Sequence, residues 1–103
     1  MELITPKTYQ PFEDSNKEII GSTTYSIHRN KALQKHSFQS LTVISAEECF
    51  NQCVKHRPTC KTYNLGPPVD GSMVCDLNSE WKEDVSEVYF TDQMGTVYYE
   101  LIV

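Results

Sequence analysis

The sequence predicts an α+β domain: a single helix packed on an antiparallel sheet of about five strands, stapled by two disulfides. Three observations predict it. Only the stretch from Ser45 to His56 carries the three- and four-residue periodicity of a helix. The apolar segments elsewhere are short, alternating and separated by brief turns, which favours antiparallel pairing. Cys49, Cys53, Cys60 and Cys75 form an even set in a chain of 103 residues, a size at which cross-links reinforce a modest core.

Residues 1–24 combine Pro6, Pro11 and Gly21 with few apolar positions. They read as an extended arm, with a short strand expected around Glu2–Thr5, and residues 25–103 read as the domain proper. "TTYSIHRN" is β-branched and aromatic, hence a strand. In "KALQKHSFQSLTV", Phe38, Leu41 and Val43 are expected on the core side of a strand. Ser45 followed by Glu48 has capping-box spacing, in which the hydroxyl accepts from the third helical N–H and the carboxylate reaches back. Ala46, Cys49, Phe50, Cys53 and Val54 then mark one apolar stripe, and Pro58 stops the helix, so it is expected over Ala46–His56. "CKTYNL" and "MVCDL" alternate as strands, with "GPPVDGS" a loop between them. "NSEWKEDVSE" is polar and irregular around Trp81. "VYF" and "TVYYELIV" read as two strands with a turn at Gly95.

The totals narrow the function classes. The formal net charge is −5, the wrong sign for a free-standing nucleic-acid binder. No apolar run approaches the roughly 20 residues that span a bilayer. The opening residues show no basic segment followed by an apolar one, so no signal peptide is legible. For a secreted chain the leader is expected to have been removed, leaving Met1 as an introduced start. Charge is unevenly spread: Arg29, Lys31, Lys35, Lys55, Arg57 and Lys61 crowd the middle, whereas acids dominate after Thr62. That asymmetry suggests a two-faced surface, weighed against charges that are merely solvated.

Three readings of the cysteines compete. The spacing is C-x3-C-x6-C-x14-C, unlike the paired knuckles of zinc ribbons and fingers. Redox chemistry needs a lowered thiol pKa, which Glu47 and Glu48 oppose, and no C-x-x-C occurs. Two disulfides are preferred. A bond between Cys49 and Cys53 would join neighbours on one helix face with badly aimed sulfurs. Cys53, near the helix end, reaches Cys60 over the turn at Pro58, and Cys49 then reaches Cys75. By loop entropy the short bridge is worth roughly 2.5 kcal/mol and the long one roughly 3.5.

With these motifs in place, the stretch from Tyr25 to Glu100 resembles the PAN/apple superfamily. "SAEECFNQCVKHRPTCKTYNL" is similar to the family's helix with Cys-x3-Cys, followed by a cysteine opening a strand of the C-x-(S/T)-(F/Y)-N type. "VCDLN" looks like its closing Cys-x-Leu strand and "GTVYYE" like its last strand. The resemblance implies a helix cradled by a curved sheet, the same pairing of Cys49–Cys75 and Cys53–Cys60, and a secreted module without catalytic activity that binds proteins or carbohydrates inside a larger protein. Apple domains often add a third bridge joining their ends. This chain has no cysteine near either end, so it resembles the two-bridge PAN type. The family has no single binding motif, so no partner residues carry over.

No catalytic constellation, metal set or cofactor motif emerges. His28, His36 and His56 are scattered, and Gly66 and Gly71 flank prolines rather than opening a helix. No N-x-S or N-x-T site occurs. The expected function is extracellular recognition or adhesion, with Arg29, Lys31, Lys35, His36, Lys55, Arg57 and Lys61 contacting an acidic glycan or protein face. Tyr63 and Tyr98 are weighed as platforms for sugar rings, with plain sheet packing favoured. The alternative is a self-assembling matrix component whose edge strands pair between chains.

Overall fold

The structure, a computed structural model, describes residues 17–20 and 23–101, with side chains from Ser26 to Leu101. The strand expected at Glu2–Thr5 lies outside the described residues. Six strands, Lys17–Ile20 (β1), Thr23–Leu33 (β2), Ser37–Val43 (β3), Thr62–Leu65 (β4), Met73–Asn78 (β5) and Phe90–Leu101 (β6), form one antiparallel sheet in the order β1-β2-β6-β4-β5-β3. The helix α1, Ala46–Lys55, lies against β3, β4 and β5. The α+β expectation holds. The sheet has one strand more than expected, because Lys17–Ile20, read as part of the arm, pairs with β2.

The helix starts where the sequence places it. Ser45 is extended (φ −155°) and its hydroxyl accepts from Glu48 N at 3.1 Å. The Glu48 carboxylate reaches one residue further back than in a standard capping box, accepting from Ile44 N at 2.8 Å. Cys49, Phe50 and Cys53 are buried, as the stripe requires. They meet Ile27, Val43, Tyr63, Leu65, Cys75, Leu77, Tyr99 and Leu101 in one core. Tyr63 and Tyr99 are directly opposed across β4 and β6 and stack with ring centroids 4.7 Å apart. Phe38 departs from expectation. A register irregularity between Ser37 and Gln39 breaks the alternation, and Phe38 sits at the rim, 39% exposed, with its ring 6.0 Å from that of His56.

The second departure decides the shape of the other face. Gly95 is not a turn between two strands; β6 runs unbroken from Phe90 to Leu101. Both β2 and β6 bend sharply at one level. Their pairing shifts between Arg29 and Lys31, Asn30 has φ 60° and Gly95 φ 83°. The two left-handed residues are tied together, since the Asn30 Oδ1 accepts from Gly95 N at 2.9 Å. Eight residues of straight strand would separate Phe90 from Tyr98 by about 26 Å. Their rings are instead 4.8 Å apart. The far end of the β2–β6 ribbon therefore folds back over the sheet face opposite the helix.

Asn64 fastens that fold. It projects from β4 on the open face, beside Tyr98 and Asp76 in register. Its Oδ1 accepts from Leu33 N at 2.9 Å and its Nδ2 donates to Leu33 O at 2.8 Å, both buried. The sheet is thus sandwiched, with α1 on one face and its own folded ribbon on the other. The segment between β5 and β6, with 3-10 turns at Lys82–Asp84 and Glu87–Tyr89, closes the remainder.

Candidate functional site

All four cysteines are oxidised. Cys49 joins Cys75 with Cα atoms 5.7 Å apart, and Cys53 joins Cys60 with Cα atoms 5.2 Å apart. The long bridge ties the middle of α1 to β5, and the short one closes the helix exit onto the start of β4. All four side chains are 2% exposed or less, so the sulfurs serve the core. Among the described residues there is no free cysteine and no cluster of His, Cys, Asp or Glu that could hold a metal ion.

A cleft of about 370 Å³ lies beneath the folded ribbon and is open to a ligand. Its floor is Asn64, Val74 and Asp76 of the open sheet face. One wall is the ribbon and its turn, from Ala32 to Lys35, with Ser37, Gln93 and Thr96. The other is the β4–β5 loop, with Gly66, Pro67 and Val69. That loop is held in place. Gly66 N donates to Val74 O at 2.8 Å, and Val69 and Ser72 bridge each other. The backbone of Gly95 comes so close to Pro67 that a Cβ there would lie 3.2 Å from the proline ring, which adds a packing reason for glycine at the bend. Asp76 accepts the Ser40 hydroxyl at 2.5 Å through Oδ1. The Gln34 Nε2 donates to Gln93 Oε1 at 2.9 Å across the ribbon.

Next to the cleft, under the β5–β6 segment, lies a closed polar cluster. The Tyr98 hydroxyl donates to Glu100 Oε2 at 3.0 Å and accepts from Lys82 N at 3.0 Å. Thr62 Oγ1 donates to Glu80 O at 2.8 Å, and Lys82 Nζ stands 3.8 Å from Glu100. Burial pushes the Glu100 carboxyl up to about 7, with Lys82 opposing the rise. Burial, and then the Glu100 charge, raise Tyr98. Burial is the largest influence on Glu83 and works to raise it, but hydrogen bonds from Lys82, the backbone and Glu100, with the Lys82 charge, together outweigh it and leave the carboxyl below its ordinary value. Burial, and then Lys82, hold His28 below the usual histidine value. This cluster ties the β5–β6 segment to the sheet and faces inward.

The basic residues singled out in the sequence fall into separate places. Lys35, at φ 68° on the turn after β2, is the one that lines the cleft. Lys31 is bound to Asp92 at 2.5 Å and lies over the Phe90 ring. Arg29 stands on β2 opposite Val97, before the bend. His36 packs edge-on against Tyr89, with its Nε2 buried and without a hydrogen-bond partner among the described residues. Lys55, Arg57 and Lys61 surround the helix exit. Ser79 N donates to His36 O and Lys61 N donates to Asn78 O, so the two basic segments meet at the end of β5. Tyr63 and Tyr98 are both 0% exposed and pack in the sheet, so neither offers a ring to a sugar.

A family model described as the PAN domain matches residues 22–103. The helix-to-sheet bridges and the match over most of the chain agree. The chain belongs to the PAN domain family. PAN domains are protein- or carbohydrate-binding modules of extracellular proteins and are generally non-catalytic. Comparison with curated proteins and with solved structures gives no match. Within this PAN domain no described helix is long and apolar enough to cross a membrane. The sequence reading missed Asn64, Asp76, Gln93 and Thr96 as cleft residues. Only Asn64 left a signal there, as a polar residue in a strand otherwise fit for burial.

Proposed function

We propose that this PAN domain is a secreted, non-catalytic recognition module that holds a carbohydrate or protein partner on its exterior, as one part of a larger protein. The cleft carries the reading. It is a preformed concavity walled by a cross-linked fold, and its lining of amides, hydroxyls, one carboxylate and one ammonium suits hydrogen-bonded recognition. Residues 1–24 serve as an arm leading into the domain of residues 25–103, and Lys17–Ile20 of that arm supplies the extra strand. Arg29, Lys31, Lys35, His36, Lys55, Arg57 and Lys61 provide a second contact region for an acidic face. Its working end is the helix exit around Lys55 and Lys61, because Lys31 is already engaged by Asp92 and the His36 ring packs inward against Tyr89.

Glycan and protein arrays probed with the oxidised domain at two salt concentrations test this. Retention of a defined ligand supports it. Acidic ligands should bind more tightly at low salt, since screening weakens exposed charge pairs. Failure to retain any glycan or protein overturns it. One observation favours a second reading, assembly between chains. Among the described residues β3 pairs only with β5, and its sequence, SFQSLTV, has no charge or proline to guard a free edge. Equilibrium sedimentation separates the two: a ligand-free dimer or polymer favours assembly, a monomer at all concentrations favours recognition.

A further inference from the structure

We propose that the cleft beneath the folded ribbon binds an uncharged sugar unit through its hydroxyl groups, with Asp76 as the principal anchor. The inference rests on the reading of the chain as a recognition module and assigns a ligand class to its cleft. Size comes first. A cavity of about 370 Å³ stands at the lower end of small-molecule sites, room for one or two sugar rings rather than a folded surface.

Charge comes second. Lys35 and Asp76 both line the cleft, yet neither is paired with the other or with any other charged group among the described residues. One positive and one negative charge give the site no net preference for an anion, and Asp76 repels sulfate or carboxylate placed on the floor. Acidic ligands therefore belong to the basic region outside the cleft.

Hydrogen-bonding capacity comes third. Asp76 Oδ1 is taken by Ser40, while Oδ2 has no partner among the described residues. A carboxylate oxygen of this kind accepts from sugar hydroxyls at charge-assisted strength. Gln93 gives its Oε1 to Gln34 and keeps its amide protons for a ligand oxygen. Lys35 adds donors at the rim. Beside Asp76 on the floor stands Val74, 53% exposed, and on the β4–β5 loop Val69, 65% exposed, aliphatic surface of the kind that packs against the C–H face of a pyranose. Asn64 holds the ribbon with both ends of its amide, so it shapes the cleft rather than contacting the ligand.

The test is an amide chemical-shift titration of the oxidised domain with methyl glycosides of glucose, galactose, mannose and N-acetylglucosamine. Glucuronate and an unstructured neutral peptide are the comparison ligands. At least one neutral glycoside should give saturable shifts at Val74, Asp76, Gln93 and Thr96, with a Kd on the order of millimolar, as expected of a single sugar ring. Asp76→Ala should weaken that binding by about tenfold or more, and Gln93→Ala by about threefold, the loss of one neutral hydrogen bond. Gln93 is exposed and Asp76 partly so, and a single cooperative melting transition shows that each variant is folded. Shifts confined to other surfaces, no response to any neutral glycoside, tighter binding of glucuronate or of the peptide, or full binding by Asp76→Ala would each overturn the proposal. If a neutral glycan retained on the array is still retained by Asp76→Ala, recognition stands and the cleft assignment falls. If the wild-type domain retains nothing, both fall.

Discussion

Replacing Asn64 by leucine, nearly the same in shape, removes the two hydrogen bonds that hold the ribbon down, at 2.9 and 2.8 Å to the N–H and C=O of Leu33. Leu33 pairs with Phe90 in the ribbon, and its own side chain is buried. Its freed backbone groups would have no other partner while the fold stays closed. Each orphaned buried group costs about 1–3 kcal/mol. The added apolar contact of leucine returns about 1 kcal/mol. The net loss is about 1–5 kcal/mol, centred near 3, a large part of the roughly 5–15 kcal/mol that holds a typical domain. Urea unfolding reads it directly. With a slope of about 1–2 kcal/mol per molar for a small domain, a loss of about 3 kcal/mol lowers the midpoint by about 1.5–3 M. Amide exchange adds location, since Leu33 should lose protection while Cys49 and Phe50 in the helix keep theirs. A change below about 0.5 kcal/mol, within the range of an ordinary surface substitution, with Leu33 still protected, would refute the role given to Asn64.

Other outcomes follow from the same contacts. Paired Cys→Ala replacement of the 49–75 bridge, with a sequence separation of 26, should cost about 3.5 kcal/mol, and of the 53–60 bridge, with a separation of 7, about 2.4, read by calorimetry. Glu100 has a folded pKa of about 7, above the ordinary carboxylate value, so the unfolded chain ionises first. Stability should therefore fall as pH rises from about 4.5 to 7 and stay lowered above that. After allowance for partial solvent screening the contribution is on the order of 1–2 kcal/mol. Glu100→Gln should remove that slope from a series of melting curves. Ser45→Ala should cost about 1 kcal/mol by leaving Glu48 N without its cap, visible as a lower thermal midpoint.

The helix and the bridges were legible because their signals are local. Ser45, Glu48 and Pro58 mark the ends of α1, and the stripe from Ala46 to Val54 fixes the buried face on which Cys49 and Cys53 lie. The folded ribbon was not legible. Gly95 reads as a turn in any window of sequence, and only its bond to Asn30, 65 residues away, makes it a bend within one strand. Phe38 was misplaced for a similar reason, because the irregularity beside it is set by pairing with β5. The cleft draws on the β2–β3 turn, the β4–β5 loop and five strands, so no single stretch announces it. Charge pattern found the basic residues but not their partners, and Asp92, which takes Lys31, belongs to a segment whose position depends on the bend.

The structure's hold on its own shape rests on which sulfurs are joined, and non-reducing peptide mapping with intact mass measures that directly. Native protein should resist alkylation, weigh less than the reduced form by two hydrogens per bridge, and yield only the Cys49–Cys75 and Cys53–Cys60 linked peptides. Alkylatable thiols in folded protein, a bound metal ion, or any other pairing would contradict it.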